Sequence, residues 1–268
     1  MKLKILIIAL IFSNLIYSQN CGTSFLPGDT VQYIGTVNNL DSEMPTCLNK
    51  KLSIHLHILG ENDSTGFADI DAIRTNIDSL NVYFSPICLE FEICEFEYIK
   101  NSIYYNLIET DYLNIQELYS DSGVINIFFV SSIGGVGGKT FMPDTLSEND
   151  DLFVIADNNR KQITHQMGHY LGLTHTYETT FGNELADHSN CLTTGDLICD
   201  TEASPNISDT ITTTCDYDYD LKDANNQYYT PAIYNHMSFY PDNCRREFTP
   251  RQFKIMIHTI LNLRKDLH

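Results

Sequence analysis

One segment constrains this chain more than any other: Ile163 to His175 read ITHQMGHYLGLTH. His165 and His169 are four residues apart, so on a helix they share a face, where two imidazoles can meet one metal ion at about 2.0 to 2.1 Å. Gly172 can take a positive φ, which ends the helix and lets His175 approach the same ion from another side. Three neutral imidazoles leave a fourth position open, the layout of a catalytic zinc site and not of a closed four-ligand structural one. A lone HxxxH pair would be weak evidence. The full HxxxHxxGxxH array is specific.

The rest of the chain can supply a core for such a site, since 43% of its 268 residues are hydrophobic. Its formal net charge is −19, which argues against a nucleic acid partner, because phosphate binding needs clustered Lys and Arg. Residues 1–19 read as a secretory signal: Lys2 and Lys4 form a basic start, Ile5 to Phe12 an apolar run, and Ser13 to Gln19 a more polar exit. That run is too short to span a bilayer, and no later stretch approaches the roughly 20 apolar residues a membrane helix needs. The mature chain is therefore expected to be exported, with no membrane partner. Gln19 and Asn20 stand where lipid attachment at Cys21 would want small residues. The eight cysteines of an exported chain suggest disulfides.

The chain divides into an N-terminal extension or short pro-like segment at 20–50, rich in Gly, Pro, Asn and Asp with weak periodicity, and one domain at 51–268. Lys51 to Leu59 alternates as a half-buried strand, with His55 and His57 on one side. A metal reading of that pair is tempting, but strand histidines facing solvent or a neighbouring layer are the expectation. Phe67 to Phe84 reads as an amphipathic helix. Strands are expected at Cys88 to Ile99 and Val124 to Val130, a helix at Asp111 to Tyr119, and short strands at Thr140 to Pro143 and Leu152 to Ala156. Gly134 to Gly138 lacks the Lys-Ser or Lys-Thr ending of a phosphate loop. Beyond His175 regular structure thins out until a last helix from Pro250 to Leu267. The alternation indicates an α/β or α+β sandwich.

The histidine array resembles the metzincin metalloprotease signature, and Asn235 to Tyr240, NHMSFY, looks like the methionine turn beneath the metal, with Met237 as its methionine. Further matches point to one branch, the pappalysin family: HTYE at His175 to Glu178, GDLICDTE at Gly195 to Glu202, Cys215, Cys244, and REFTPRQ at Arg246 to Gln252. The resemblance is strong from about residue 150 to the end. It implies an α+β metzincin-like domain of two parts, a twisted mixed sheet with helices above a cleft and an irregular part below, and a secreted zinc endopeptidase acting on peptides or proteins. It also implies a Cys215 to Cys244 bridge. The loop of Asp196, Asp200 and Thr201 is either a calcium site or a plain acidic surface loop. Asp242 is either the floor of a pocket for Lys or Arg after the scissile bond or an exposed turn residue. Cys21-Gly22-Thr23 resembles the segment with which family propeptides cap the zinc, yet a Cys21 to Cys47 disulfide is the expectation, because it leaves an even set of cysteines.

Two departures bear on activity. The family pattern has glutamate after the first histidine, where it passes a proton from the attacking water to the leaving amine; here that residue is Gln166. Two residues after Met237 the family usually has a tyrosine that stabilises the oxyanion; here it is Phe239. Tyr240, one residue on, tends to point elsewhere. Both changes keep shape and lose chemistry, so an impaired protease is expected. Residual proteolysis and a non-catalytic peptide-binding pseudoprotease are the alternatives.

Overall fold

The computed structural model describes residues 21–23, 25, 29–38, 40, 44–143, 152–206, 214–217 and 220–268, apart from the side chains of 109 and 158–160. The signal segment expected at 1–19 lies outside the described residues.

Chain order is α1 (Asp29–Asn38), β1 (Lys50–Gly60), α2 (Ile70–Phe84), β2 (Leu89–Lys100), α3 (Ser102–Tyr105), β3 (Asn106–Leu107), α4 (Tyr112–Tyr119), β4 (Ile125–Val130), β5 (Ser132–Ile133), β6 (Gly138–Thr140), β7 (Leu152–Ala156), α5 (Ile163–Tyr170) and α6 (Pro250–His258). Five strands form one sheet in the order β2-β1-β4-β7-β6. The pairs β2-β1, β1-β4 and β4-β7 are parallel, and β6 runs antiparallel to β7 at the edge. This is the mixed sheet of the expected α+β architecture. β4 and β7 are buried at every position, as strands covered on both faces must be. Leu52, Ile54, Leu56 and Ile58 of β1 pack with α2 and α5 on one face. On the other, Tyr112 and Ile115 of α4 pack with Phe128, Val130, Leu152 and Val154. The outer strand β2 turns glutamates to solvent, which discourages edge-to-edge pairing.

Three local features shape the surroundings of the histidines. Between Ile54 and His55 the β1-β2 register slips by one residue, so that His55 pairs with Glu95 and His57 with Glu97. A bulge of this kind re-aims the following side chains. Edge strand β6 begins inside the glycine cluster, at Gly138, and ends at Thr140, where the sequence predicts its start; a Cβ on Gly138 would stand 2.8 Å from the Gln166 amide. The last helix is shorter than its periodicity suggests: α6, capped by Thr249 and Gln252, gives way at Thr259–Leu263 to a wider turn that lays Arg264 over the Tyr170 ring at 3.7 Å.

The extension contains a helix, α1, that weak periodicity did not indicate. The expected Cys21 to Cys47 bridge is not formed. Cys47 is bonded to Cys88, Cys191 to Cys199 and Cys215 to Cys244. Cys47 lies just before β1 and Cys88 just before β2, so the parallel pairing of the two strands places those cysteines side by side. Cys21 is left to go elsewhere.

Candidate metal centre

Helix α5 presents His165 and His169 on one face, and its end is set by Gly172 at φ 90°, a left-handed position that costs glycine nothing. The amide of Gly172 donates to the His169 carbonyl and that of Leu173 to the Gly168 carbonyl, turning the chain so that His175 comes back to the same point. His169 Nε2 lies 3.1 Å from Nε2 of both His165 and His175. His165 Nδ1 donates to the His236 carbonyl at 2.7 Å and His169 Nδ1 to the Leu173 carbonyl at 2.8 Å, which fixes each ring with Nε2 inward, the tautomer a metal needs. The His175 ring stacks on Tyr177 at 4.6 Å. Burial pushes the His165 imidazole down to about 3 and lowers His175 as well, so both are neutral, the form that ligates.

Cys21 completes the cluster. Its Sγ lies 3.4 Å from His169 Nε2, and the four residues form one compact group of potential ligands. Burial alone would raise the thiol's pKa, but the imidazoles of His169, His165 and His175 outweigh it and hold it well below its ordinary value. That favours the thiolate, the ligating form of cysteine. The donor set fits zinc: ligands at about 2.0 to 2.1 Å for nitrogen and 2.3 Å for sulfur in a tetrahedron stand roughly 3.3 Å (N to N) and 3.6 Å (N to S) apart. The segment is also docked by backbone, since the Gly22 amide donates to the Gly138 carbonyl on β6 at 2.9 Å.

Gln166 is fully buried beside this cluster. Its Oε1 accepts from the Thr140 hydroxyl at 2.5 Å, and its Nε2 donates to Cys21 Sγ at 3.3 Å. Thr23 joins the network, its hydroxyl accepting from the Thr140 amide at 3.0 Å. Below the histidines, Met237 is fully buried, and a Cβ on Gly168 would stand 2.4 Å from its sulfur, so methionine and helix need that glycine to pack closely. Phe239 meets Tyr177 edge-on at 5.6 Å. Tyr240 is buried in a small cluster with Cys244.

The remaining candidates separate. Asp196 is fully buried and accepts from the Ile198 amide and the Thr201 hydroxyl, while Asp200 accepts from the Thr249 hydroxyl and the Arg251 amide at the start of α6. Their oxygens thus cap a turn and a helix. Asp242 does line a cavity of about 210 Å³ beside His165, with Tyr83, His236 and Arg245. It is paired there with Arg245, whose other amino group lies 3.0 Å from His165 Nδ1. The pocket's acid is already neutralised by an internal guanidinium. Arg245 and Thr140 were not singled out by the sequence, since neither spacing nor residue type marks them, and Tyr177 entered only as part of the HTYE match.

Residues 149–261 match the family model Peptidase_M43, described as pregnancy-associated plasma protein-A. An extracellular metalloprotease of Colletotrichum graminicola is 29% identical over 148 residues, which is 49% of this chain and 47% of that protein. Another from Arthroderma gypseum is 24% identical over 226 residues, 78% of this chain and 71% of that one. The chain thus spans about half the length of the first of these relatives. Among solved structures, mirolysin in complex with compound 9 superposes with a TM-score of 0.56 at 16% identity, covering 81% of this chain and 94% of that one, a likeness of fold. Among the described residues no helix is long and apolar enough to cross a membrane.

Proposed function

We propose, from the match of residues 149–261 to the Peptidase_M43 family model, that this chain is an exported zinc-binding protein of protease fold whose cleft is closed by its own Cys21 segment and whose catalysis is impaired. His165, His169 and His175 would hold the zinc, with Cys21 as fourth ligand. When bound, zinc supplies a Lewis acid that polarises a peptide carbonyl and acidifies water. Hydrolysis then depends on the chain's own groups, and two are wrong for it. Gln166 cannot accept a proton, and its amide is already engaged by Thr140 and Cys21. Phe239 brings a ring without the hydroxyl that an oxyanion would want.

The observation that carries the reading is the hydrogen bond from Gln166 to Cys21. A glutamate there would set a carboxylate against a thiolate; a glutamine donates to it, so the residue that removes the base also favours the closed state. The pairing of Gly22 along edge strand β6 occupies the place where an extended peptide would add to the sheet. Peptides or proteins are therefore the ligands proposed for the uncapped cleft. Export is supported by the three disulfides and by relatives named extracellular. The domain is proposed to run from residue 51, with residues 20–50 as a capping extension. Calcium has no part in the proposal, because Asp196 and Asp200 serve as caps. Retention of all three histidines favours a second reading, an endopeptidase with residual activity. Assaying peptide cleavage and metal content of the purified protein separates the two: the first expects bound zinc and no cleavage, and steady cleavage without cofactor change would establish the second.

A further inference from the structure

On the sheet face opposite α5, the parallel strands β1 and β2 set two histidines beside two glutamates. The bulge at Ile54/His55 brings this about: His55 faces Glu95 and His57 faces Glu97. Their rings lie 4.0 Å apart, and His57 stacks on Phe128 at 4.3 Å, within the core cluster under α4. Both histidines are more than nine-tenths buried. One ligand atom from each of His55, His57 and Glu97 lies within 4.8 Å of the others.

Hydrogen-bond accounting at these rings leaves His55 Nε2 without a partner among the described residues and requires a proton or a metal ion between His57 Nδ1 and Glu97. The Asn126 amide is oriented by its neighbours: Nδ2 donates to the carbonyls of Asp121 and Val124, and Oδ1 accepts from the Asp121 amide. Oδ1 also stands 3.0 Å from His57 Nε2, so Nε2 carries hydrogen there, and in the neutral ring Nδ1 presents a lone pair to Glu97 Oε1 at 2.7 Å. Two lone pairs then face each other, so either a second ring proton or a metal ion joins them. His55 Nδ1 is 2.8 Å from Asp121 Oδ2, the carboxylate-to-histidine contact that orients a metal ligand. Its Nε2 is buried with no hydrogen-bond partner among the described residues.

We infer that His55, His57 and Glu97 form a second metal site, for a zinc-like divalent transition ion, with Asp121 orienting His55. Two imidazoles and a carboxylate suit such an ion. Glu97 and Asp121 have side chains 42% and 64% exposed, so the ion has a route in from solvent, and the carboxylate can swing to close the ligand spacing. The site shares no residue with the His165 cluster and does not depend on how that cluster is used.

Titration of chelator-stripped protein with Zn²⁺ against a chromophoric chelator, with metal content measured after dialysis, tests the inference. The unmodified protein should take two equivalents, and Glu97→Gln one. Asp121→Asn should weaken the second equivalent at least about tenfold, the usual effect of losing an orienting carboxylate. Both substituted residues are partly exposed, so the fold should survive, and circular dichroism checks this. His169→Ala should still take one equivalent, and its Co²⁺ form should lack the thiolate charge-transfer band that marks Cys21. One equivalent in the unmodified protein, lost in His169→Ala, would overturn the second site. So would two equivalents that Glu97→Gln and Asp121→Asn leave unchanged.

Discussion

Replacing Gln166 with glutamate changes one atom and two interactions. The bond from Gln166 Nε2 to Cys21 Sγ disappears, and a carboxylate takes its place beside a thiol whose pKa the histidines hold well below its ordinary value. A hydrogen bond to a charged group is worth about 1.5 to 3 kcal/mol, so the Cys21 cap should loosen roughly 10- to 150-fold. The new carboxylate also restores a general base, typically worth 10²- to 10⁴-fold in rate. The two effects are separable. In a Cys21→Ala background the cap is gone, and Gln166→Glu should raise hydrolysis of a quenched fluorescent peptide at least about a hundredfold. In the zinc-loaded protein with Cys21 intact, the same substitution should speed iodoacetamide labelling of Cys21 by the same factor of roughly 10 to 150. A Cys21→Ala protein that cleaves as fast as the Cys21→Ala/Gln166→Glu protein would show that another group serves as base. Unchanged labelling would show that Gln166 does not hold the cap.

The packing and the pairings set three further outcomes. Gly168→Ala forces its Cβ against the Met237 sulfur and should cost about 1 to 3 kcal/mol in denaturant unfolding, with weaker zinc retention. Replacing Cys215 and Cys244 together opens a loop of sequence separation 29 and should cost about 3 to 4 kcal/mol in the chain-entropy model; an unchanged midpoint and slope would refute it. In the Cys21→Ala/Gln166→Glu background, Arg245→Leu frees Asp242 from its internal partner, and cleavage-site profiling should then shift toward Lys or Arg after the scissile bond. An unchanged profile would exclude Asp242 from that pocket.

The strand and helix cores were legible because burial imposes period on sequence: β1, α2, β4 and β7 lie within a few residues of where their apolar spacing puts them. The histidine cluster was legible for the same reason, since four and six residues across a helix end bring the rings together. The features that were not legible depend on tertiary register. Cys21 reaches His169 across 148 residues, a distance in sequence that spacing cannot read, and cysteine parity pointed instead to Cys47. The bulge that moves Glu95 and Glu97 beside His55 and His57 leaves no mark in an alternating run of glutamates. Arg245 stood in plain sight three residues after Asp242, but only the fold shows that it turns back to neutralise it.

The proposed zinc ion is held by three imidazoles and the Cys21 thiolate. Zinc K-edge absorption fine structure, on Glu97→Gln protein loaded with one equivalent, reads that ligand set directly. One sulfur at about 2.3 Å and three nitrogens at about 2.0 to 2.1 Å are expected, with the sulfur contribution lost in Cys21→Ala. A first shell without sulfur in the Cys21-containing protein would contradict it.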